Sequence, residues 1–585
     1  MRSFSQALAL ALAALAARGA YQVHLEAYPR LELIRNALDD QVLYDSWAKH
    51  ILAGQPMDWA HTGHEFAYWA ARAPGVFAQD PLYSYALAGF YRLFGFAYGG
   101  VRALQALLGV GTALLVWRLA RRLLPPGAAL GAGLCAALYQ PLVFYEATFL
   151  REPLATFFVA AALACVQAAG TRGGEARRAT VAAVAGGVLL GLAVLTRSHL
   201  ALPALAMALW LGTRARRAAL ALGAALLLTL APVVAANMAR SGGPAFVSSA
   251  GPYNLFVGNV HDADGGPSPL YQQVKAQGPP AEVDLLGALA ADVAAHPGAF
   301  LRRQLDKTLQ LLGTGERPDN VSLSMGRMLA PRLRWAPVSD AVLLPLALLG
   351  VALALPRWRA HALWLAYLLA AVASIVPFIV VSRLRLPLLP ALALAAGVVL
   401  ERAAALAAAR RWIPLGALAL AAAALALLLW PPPRPHRHVD YQMAAAAYET
   451  LGELAEERGA GEEARRAYGR AVALNPEHQG AADAAARLAG GSPPRLEMEA
   501  LDLTERARDE ARDGRYQEAL RLLDEAARRA PEWPLPHRYR ANVHALAGDR
   551  RAAVADLERA VALDPQDRPA RATLLALRRE VGLER

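Results

Sequence analysis

Asp39 and Asp40 stand side by side in a polar stretch between two apolar runs. Two adjacent carboxylates can take up a proton, and their mutual repulsion would raise one of the two pKa values toward that of a useful base. The plainer reading is a solvated pair opening a helix, where the N-terminal dipole favours acidic residues. His61, His64 and Glu65 follow in the same stretch. A His-x-x-His spacing puts both imidazoles near one helical face, yet no complete ligand set accompanies them. Asp262, Asp264 and Gly265-Gly266 resemble a calcium loop only superficially, because the EF-hand spacing is absent. No metal ligands are assigned. Arg197, Arg383 and Arg385 sit at the ends of apolar runs. Their forked guanidinium groups suit phosphate oxygens; the alternative is snorkelling to a membrane interface. Glu146 and Glu152 flank Arg151, and a local salt bridge explains them as well as a role in orienting a ligand.

The elements that would have to position these groups are membrane spans. The 585 residues are 56% hydrophobic and 18% charged. Apolar runs near the length needed to cross a bilayer recur as far as Trp430 and then stop. About eleven are expected. They lie near Phe4–Ala20, Val101–Trp117, Ala128–Phe144, Leu154–Ala169, Ala179–Leu195 and Leu200–Leu211. The rest lie near Ala218–Ala235, Val338–Leu355, Leu363–Val380, Pro387–Leu400 and Ile413–Trp430. The formal charge of +12 suggests nucleic acid at first. The basic residues are instead clustered between apolar runs, so a nucleic-acid partner is rejected. Cys135 and Cys165, the two cysteines, both lie in apolar runs and supply neither a disulfide framework nor a metal site.

Loops of one parity are Arg-rich: Arg118, Arg121 and Arg122; Arg172, Arg177 and Arg178; Arg214, Arg216 and Arg217; Arg357 and Arg359; Arg402, Arg410 and Arg411. The positive-inside rule places them in the cytoplasm. The other parity faces outward, including the long loops 21–100 and 237–337 and the links carrying Glu146, Glu152, Arg197, Arg383 and Arg385. An odd number of spans sends the C-terminal part outward too.

That part, 431–585, is repetitive. Pro531 and Pro565 are one period apart, and Gly514/Gly548, Ala519/Ala553, Leu523/Leu557 and Ala526/Ala560 match in step. An earlier unit fits with Tyr448, Leu451, Gly452, Gly459, Ala464, Tyr468, Ala471 and Pro476. This pattern resembles the tetratricopeptide repeat. Its small residues let two helices approach closely, and the proline ends the second. The middle unit is weaker, with Arg506 and Ala507 where Leu and Gly are usual. A segment from Arg568 to Leu583 is expected to cap the array. Such repeats bind protein partners.

The membrane part, 1–430, resembles the GT-C superfamily of glycosyltransferases that use lipid-phosphate sugars, including protein mannosyltransferases and the aminoarabinose transferase of lipid A. Asp40 followed by Tyr44, Ala48 and Gly54 fits its first outward loop. Phe77 through Gly95 resembles its "PPLYP…LFG" segment, with Asp80 and Ser84 replacing the usual residues. Glu146 and Arg151-Glu152-Pro153 sit where the family has an acidic residue. Leu195-Thr196-Arg197 resembles "LTRP", with Ser198 in place of proline. Ser248-Ser249, Gly251, Asn254 and Gly258-Asn259 resemble "SSxGGxNFxxGN", and Arg383-Leu-Arg385-Leu-Pro387 resembles "RYRLPxxP".

The resemblance implies a mainly α protein: a polytopic helical membrane domain followed by a tetratricopeptide-repeat solenoid. It implies a retained first span in preference to a signal peptide. It also implies transfer of a sugar from a polyprenyl-phosphate donor to an outward acceptor, in the inner membrane of a bacterium. Asp40 is then the expected general base, with Asp39 as the fallback. Arg197, Arg383 and Arg385 would hold the donor phosphate, and Glu146, Glu152, Tyr44 and Asp80 would orient the acceptor or a cation. Some superfamily members use a divalent cation and others do not, so the sequence requires no cofactor and leaves a divalent cation open. The expected partners are the lipid-linked donor, membrane lipids and a protein bound by the repeats. The rivals are a lipid-linked glycan transporter, which would carry charges inside its spans, and a non-catalytic envelope scaffold. The nearly charge-free central spans argue against the first.

Overall fold

A computed structural model describes residues 2–27, 40–55, 76–96, 98–171, 175–261, 270, 284–317, 321–430, 438–474, 479–488, 500, 503–504, 506–507, 510–511, 515–563, 570–571, 573–574 and 577–578. Asp39, His61, His64, Glu65, Asp262, Asp264, Gly265, Gly266, Pro476, Gly514 and Pro565 lie outside the described residues, as does most of Arg568–Leu583. The chain divides into two compact units, Met1–Met443 and Ala444–Arg585.

The first unit opens with α1 (Arg2–Ala27) and two helices outside the long apolar runs, α2 (Asp40–Leu52) and α3 (Leu82–Phe94). There follow α4 (Tyr98–Ala120), α5 (Pro126–Ala137), α6 (Gln140–Tyr145), α7 (Glu152–Ala169), α8 (Ala176–Thr196), α9 (Ala201–Gly212) and α10 (Arg216–Ser241). The second long loop folds into α11 (Ala250–Val257), α12 (Leu285–Ala295), α13 (Pro297–Leu312) and α14 (Leu323–Leu329). The unit ends with α15 (Asp340–Ala354), α16 (Trp358–Ile375), α17 (Leu389–Ala408) and α18 (Trp412–Leu428). Among the described residues seven stretches are long and apolar enough to cross a membrane, and one of them, Asp340–Ile375, contains both α15 and α16. The expected runs near Ala128, Leu200 and Ile413 fall on the shorter apolar helices Pro126–Ala137, Ser198–Gly212 and Trp412–Leu428. The protein is a multi-pass membrane protein.

The run Ala128–Phe144, expected as one span, is two helices. Tyr139 between them is extended (φ −70°, ψ 106°) and pairs with Val338 in an isolated bridge. Gln140 N–H donates to Val338 O at 2.8 Å, and Val338 N–H donates to Leu138 O at 3.1 Å. Pro141 favours this break, because proline starts a helix readily and cannot continue one.

In lipid, helices gain little from apolar burial and associate through close packing of small residues. Gly187 and Gly191 of α8, four apart, lie against Leu222 and Thr229 of α10. A Cβ at Gly187 would collide with the Leu222 backbone. Gly350 of α15 meets the Ala395 backbone of α17 in the same way. The opposite side of α10 exposes Leu220, Leu227 and Leu228, as a lipid-facing surface should.

The second unit contains α19 from Ala444 onward (the whole helix is His438–Glu457), α20 (Gly461–Leu474), α21 (Gln479–Leu488), α22 (Tyr516–Arg529), α23 (Pro534–Leu546) and α24 (Arg550–Leu563). Gly452 lies against the Tyr468 ring, so any side chain there would push the paired helices apart. Ala541 packs with Ala553, Val554 and Leu557, and Ala507 packs with Ala519, Leu522 and Leu523. Gly459 and Gly548 turn the chain between paired helices with φ of 71° and 89°, a conformation costly for any other residue. These are paired helices joined by glycine turns and packed through small residues, the arrangement that the repeat pattern implies.

Candidate active site

Asp40 is the first residue of α2, where the helix dipole favours a carboxylate. The helix buries Asp40, Gln41, Tyr44, Asp45 and Trp47 together. Burying so many polar groups is tolerable only if they are bonded, and bonds account for them. Asp45 accepts from Tyr91 Oη at 2.6 Å and pairs with Lys49 at 2.8 Å, fixing α2 to α3. Gln41 Oε1 accepts from Phe149 N–H at 2.9 Å, tying α2 to the link between α6 and α7.

Asp40 itself meets Arg383: Nη2 donates to Oδ2 at 2.7 Å. Gln79 Nε2 donates to the other oxygen at 3.4 Å, and Tyr44 Oη donates to Gln79 Oε1 at 2.7 Å. Arg383 Nε lies 3.5 Å from Glu152 Oε1, and Arg197 Nη2 closes on the same oxygen. Asp80 Oδ2 accepts from Arg151 Nη1 at 3.1 Å and from Ser198 N–H at 3.2 Å, while Asp80 Oδ1 accepts from Ser248 Oγ at 2.9 Å. The Arg151 guanidinium also stands 5.6 Å from the Tyr44 ring centroid. Three arginines and three carboxylates thus form one buried network. Burial pushes the Tyr44 phenol up to about 12, against the pull of Arg151, so it stays a neutral donor.

The structure therefore gathers Asp40, Tyr44, Asp80, Glu152, Arg197 and Arg383. Three details differ from the sequence reading. Glu146 does not join the network and does not pair with Arg151. Arg18 of α1 takes it in a buried double contact, Nε–Oε2 2.7 Å and Nη2–Oε1 2.9 Å. Arg385 also turns away: Nη1 donates to Asp340 at 2.9 Å, Nε to Leu311 O at 3.0 Å, and Nη2 to the carbonyls of Gln310 and Gly315. Nor do these span-end arginines snorkel. Arg197, Arg383 and Arg385 are 7%, 7% and 2% exposed, because each found a protein acceptor inside the bundle.

Sequence reasoning missed Gln79, Arg18 and a second basic feature. A cavity of about 420 Å³ is lined by Gly258, His261, Arg302, Arg303, Lys307 and Arg317, among others. Lys307 Nζ donates to Asn259 Oδ1 at 2.8 Å, and burial with its arginine neighbours lowers its pKa to about 7. The signal was present: Arg302, Arg303 and Lys307 share the helix α13, in a loop that the arginine parity is expected to place outward, against the positive-inside bias.

Residues 78–238 match the family model for dolichyl-phosphate-mannose-protein mannosyltransferase. The matched stretch contains Asp80, Arg151, Glu152 and Arg197; Asp40 and Arg383 lie outside it. Among solved structures, the chain is similar to ArnT from Cupriavidus metallidurans bound to undecaprenyl phosphate, with 16% identity over 85% of this chain and 80% of that chain, at a TM-score of 0.38. It is also similar to the archaeal oligosaccharyltransferase AglB from Archaeoglobus fulgidus in complex with an inhibitory peptide and a dolichol-phosphate. There the identity is 15% over 79% of this chain and 59% of that chain, at a TM-score of 0.37. None of the curated proteins matches this chain.

Proposed function

We propose that the protein transfers a sugar from a polyprenyl-phosphate donor to an acceptor on the outer face of a bacterial inner membrane. Asp40 is the general base in this reading, and the repeats, on the same side, recruit a protein partner or acceptor. The observation that carries it is the arginine cluster beside Asp40. Arg151 Nε and Arg197 Nε are buried donors with no hydrogen-bond partner among the described residues. Buried polar groups of this kind call for an acceptor, and a phosphate oxygen is the acceptor an arginine fork fits best.

The chemistry follows from the placement. Asp40 takes a proton from an acceptor hydroxyl or amine. The acceptor atom attacks the anomeric carbon as the bond from that carbon to the phosphate oxygen breaks. The released polyprenyl phosphate gains negative charge, which Arg197, Arg383 and Arg151 stabilise in a site shielded from water. Arg383 touches Asp40 directly, so base and phosphate cations act within one hydrogen-bonded unit. Arg385 and Glu146 hold the framework in this reading. Tyr44 and Asp80 orient Gln79 and Arg151.

A transfer assay on membranes with labelled polyprenyl-phosphate sugars tests this. Asp40→Asn keeps the shape and loses the base, so turnover should fall by roughly two to four orders of magnitude. Unchanged turnover would remove Asp40 from the chemistry.

A further inference from the structure

His261, Asp292 and His296 converge outside the Asp40 network. Their ligand atoms all lie within 4.8 Å of one another. His261 Nδ1 is 2.5 Å from Asp292 Oδ1, and His296 Nδ1 is 3.3 Å from the same oxygen. The imidazoles are stacked, with centroids 4.1 Å apart and planes 21° apart, so one ring must turn out of the stack for both Nδ1 lone pairs to meet a shared ion. From these positions we infer that the three residues bind a divalent transition-metal ion of the zinc class.

Several observations favour a built site over a chance meeting of side chains. Asp292 is buried, 8% exposed, and its other oxygen is fixed by the His261 backbone N–H at 2.8 Å. Asp292 and His296 are one helical turn apart at the end of α12, and His261 reaches them from the segment after α11. The set spans two elements. Two imidazoles and one carboxylate are the donors that zinc-class ions select, whereas calcium and magnesium prefer oxygen alone. Around a tetrahedral ion with bonds of about 2.1 Å, neighbouring ligand atoms sit about 3.4 Å apart. His296 Nδ1, 3.3 Å from Asp292 Oδ1, is already near that value; His261 Nδ1, at 2.5 Å, must withdraw by about 1 Å as its ring turns.

Three protein ligands leave a fourth position for water or an anion. His261 also lines the basic cavity, and its carbonyl accepts from Arg303 Nη2 at 2.9 Å. The ion would clamp the end of the α11 segment to the α12–α13 junction and so set one wall of that cavity.

The test uses the purified full chain, stripped with a chelator and titrated with Zn²⁺ or Co²⁺. We expect about one ion per chain, a visible Co²⁺ absorption band, and a melting temperature that rises with metal. His296→Gln should weaken binding by about tenfold or more and abolish the rise. Asp292→Asn should do the same if it folds; His296→Gln, at a half-exposed position, serves if it does not. His544→Gln, in the repeats, controls for adventitious binding by the other histidines and should change nothing. No bound ion, or equal affinity in wild type and His296→Gln, would overturn the inference.

Discussion

Asp40 and Arg383 stand 343 positions apart in the chain and 2.7 Å apart in space. The segment between α1 and α4 and the turn before α17 are thereby joined at a buried ion pair. Such a pair stabilises a fold weakly once desolvation is counted, but removing one partner leaves an uncompensated charge. Variants at this contact must therefore be compared with conservative ones.

Arg383→Lys keeps the charge and loses the fork that reaches both Asp40 and Glu152. Transfer should fall by about a hundredfold, with the melting temperature little changed. Full transfer by the Lys variant would show that point charge suffices and that the fork has no role.

Arg385 should behave differently, although it is two residues away. Its nitrogens bond to Asp340 and to three backbone carbonyls, so Arg385→Met should cost about 3 kcal/mol or more of stability. Thermal unfolding in detergent measures this. A stable variant with defective transfer would return Arg385 to the phosphate site.

Gly187→Val should disrupt the α8–α10 contact, because the obstacle is the Leu222 backbone and cannot rotate away. Overpacking of this kind costs about 1–3 kcal/mol. A melting curve matching wild type would mean that the two helices can separate without loss.

His199, in the turn between α8 and α9 beside Arg197, gives a pH signature. Burial, then Arg197 and Arg151, lowers its pKa from 6.5 to about 3. The folded state holds it neutral while the unfolded state protonates it below 6.5. Its contribution is therefore complete above pH 6.5 and is lost progressively as pH falls toward 3. His199→Gln should flatten the stability profile over that window. An identical profile would show that other groups set the acid limit.

In the proposed topology the repeats lie outside the cytoplasm. A phosphatase fused after Leu583 should be active, and a fluorescent reporter that matures only in the cytoplasm should be dark. The opposite pair of results would reverse the topology and put the repeats inside.

What the sequence determined by itself was local and periodic. Runs of apolar residues had to become helices, because a backbone in lipid can satisfy its own hydrogen bonds no other way. The repeat phase of Gly452, Gly459 and Gly548 had to become paired helices, because only glycine fits the close approach at Gly452 and the left-handed turns at Gly459 and Gly548. The motifs around Asp40, Asp80, Arg197 and Arg383 were also legible, since each is a short pattern of residue types. Pairing across the chain was not. Nothing near Glu146 indicates that its partner is Arg18 rather than Arg151. Arg383 and Arg385 look equivalent in sequence, yet a 3₁₀ turn of three residues separates them by about 240°, sending one to Asp40 and the other to Asp340. His261, Asp292 and His296 meet only because α12 folds back on the end of the α11 segment. Spacing fixes which residues share a helix face, whereas packing between helices decides which faces meet.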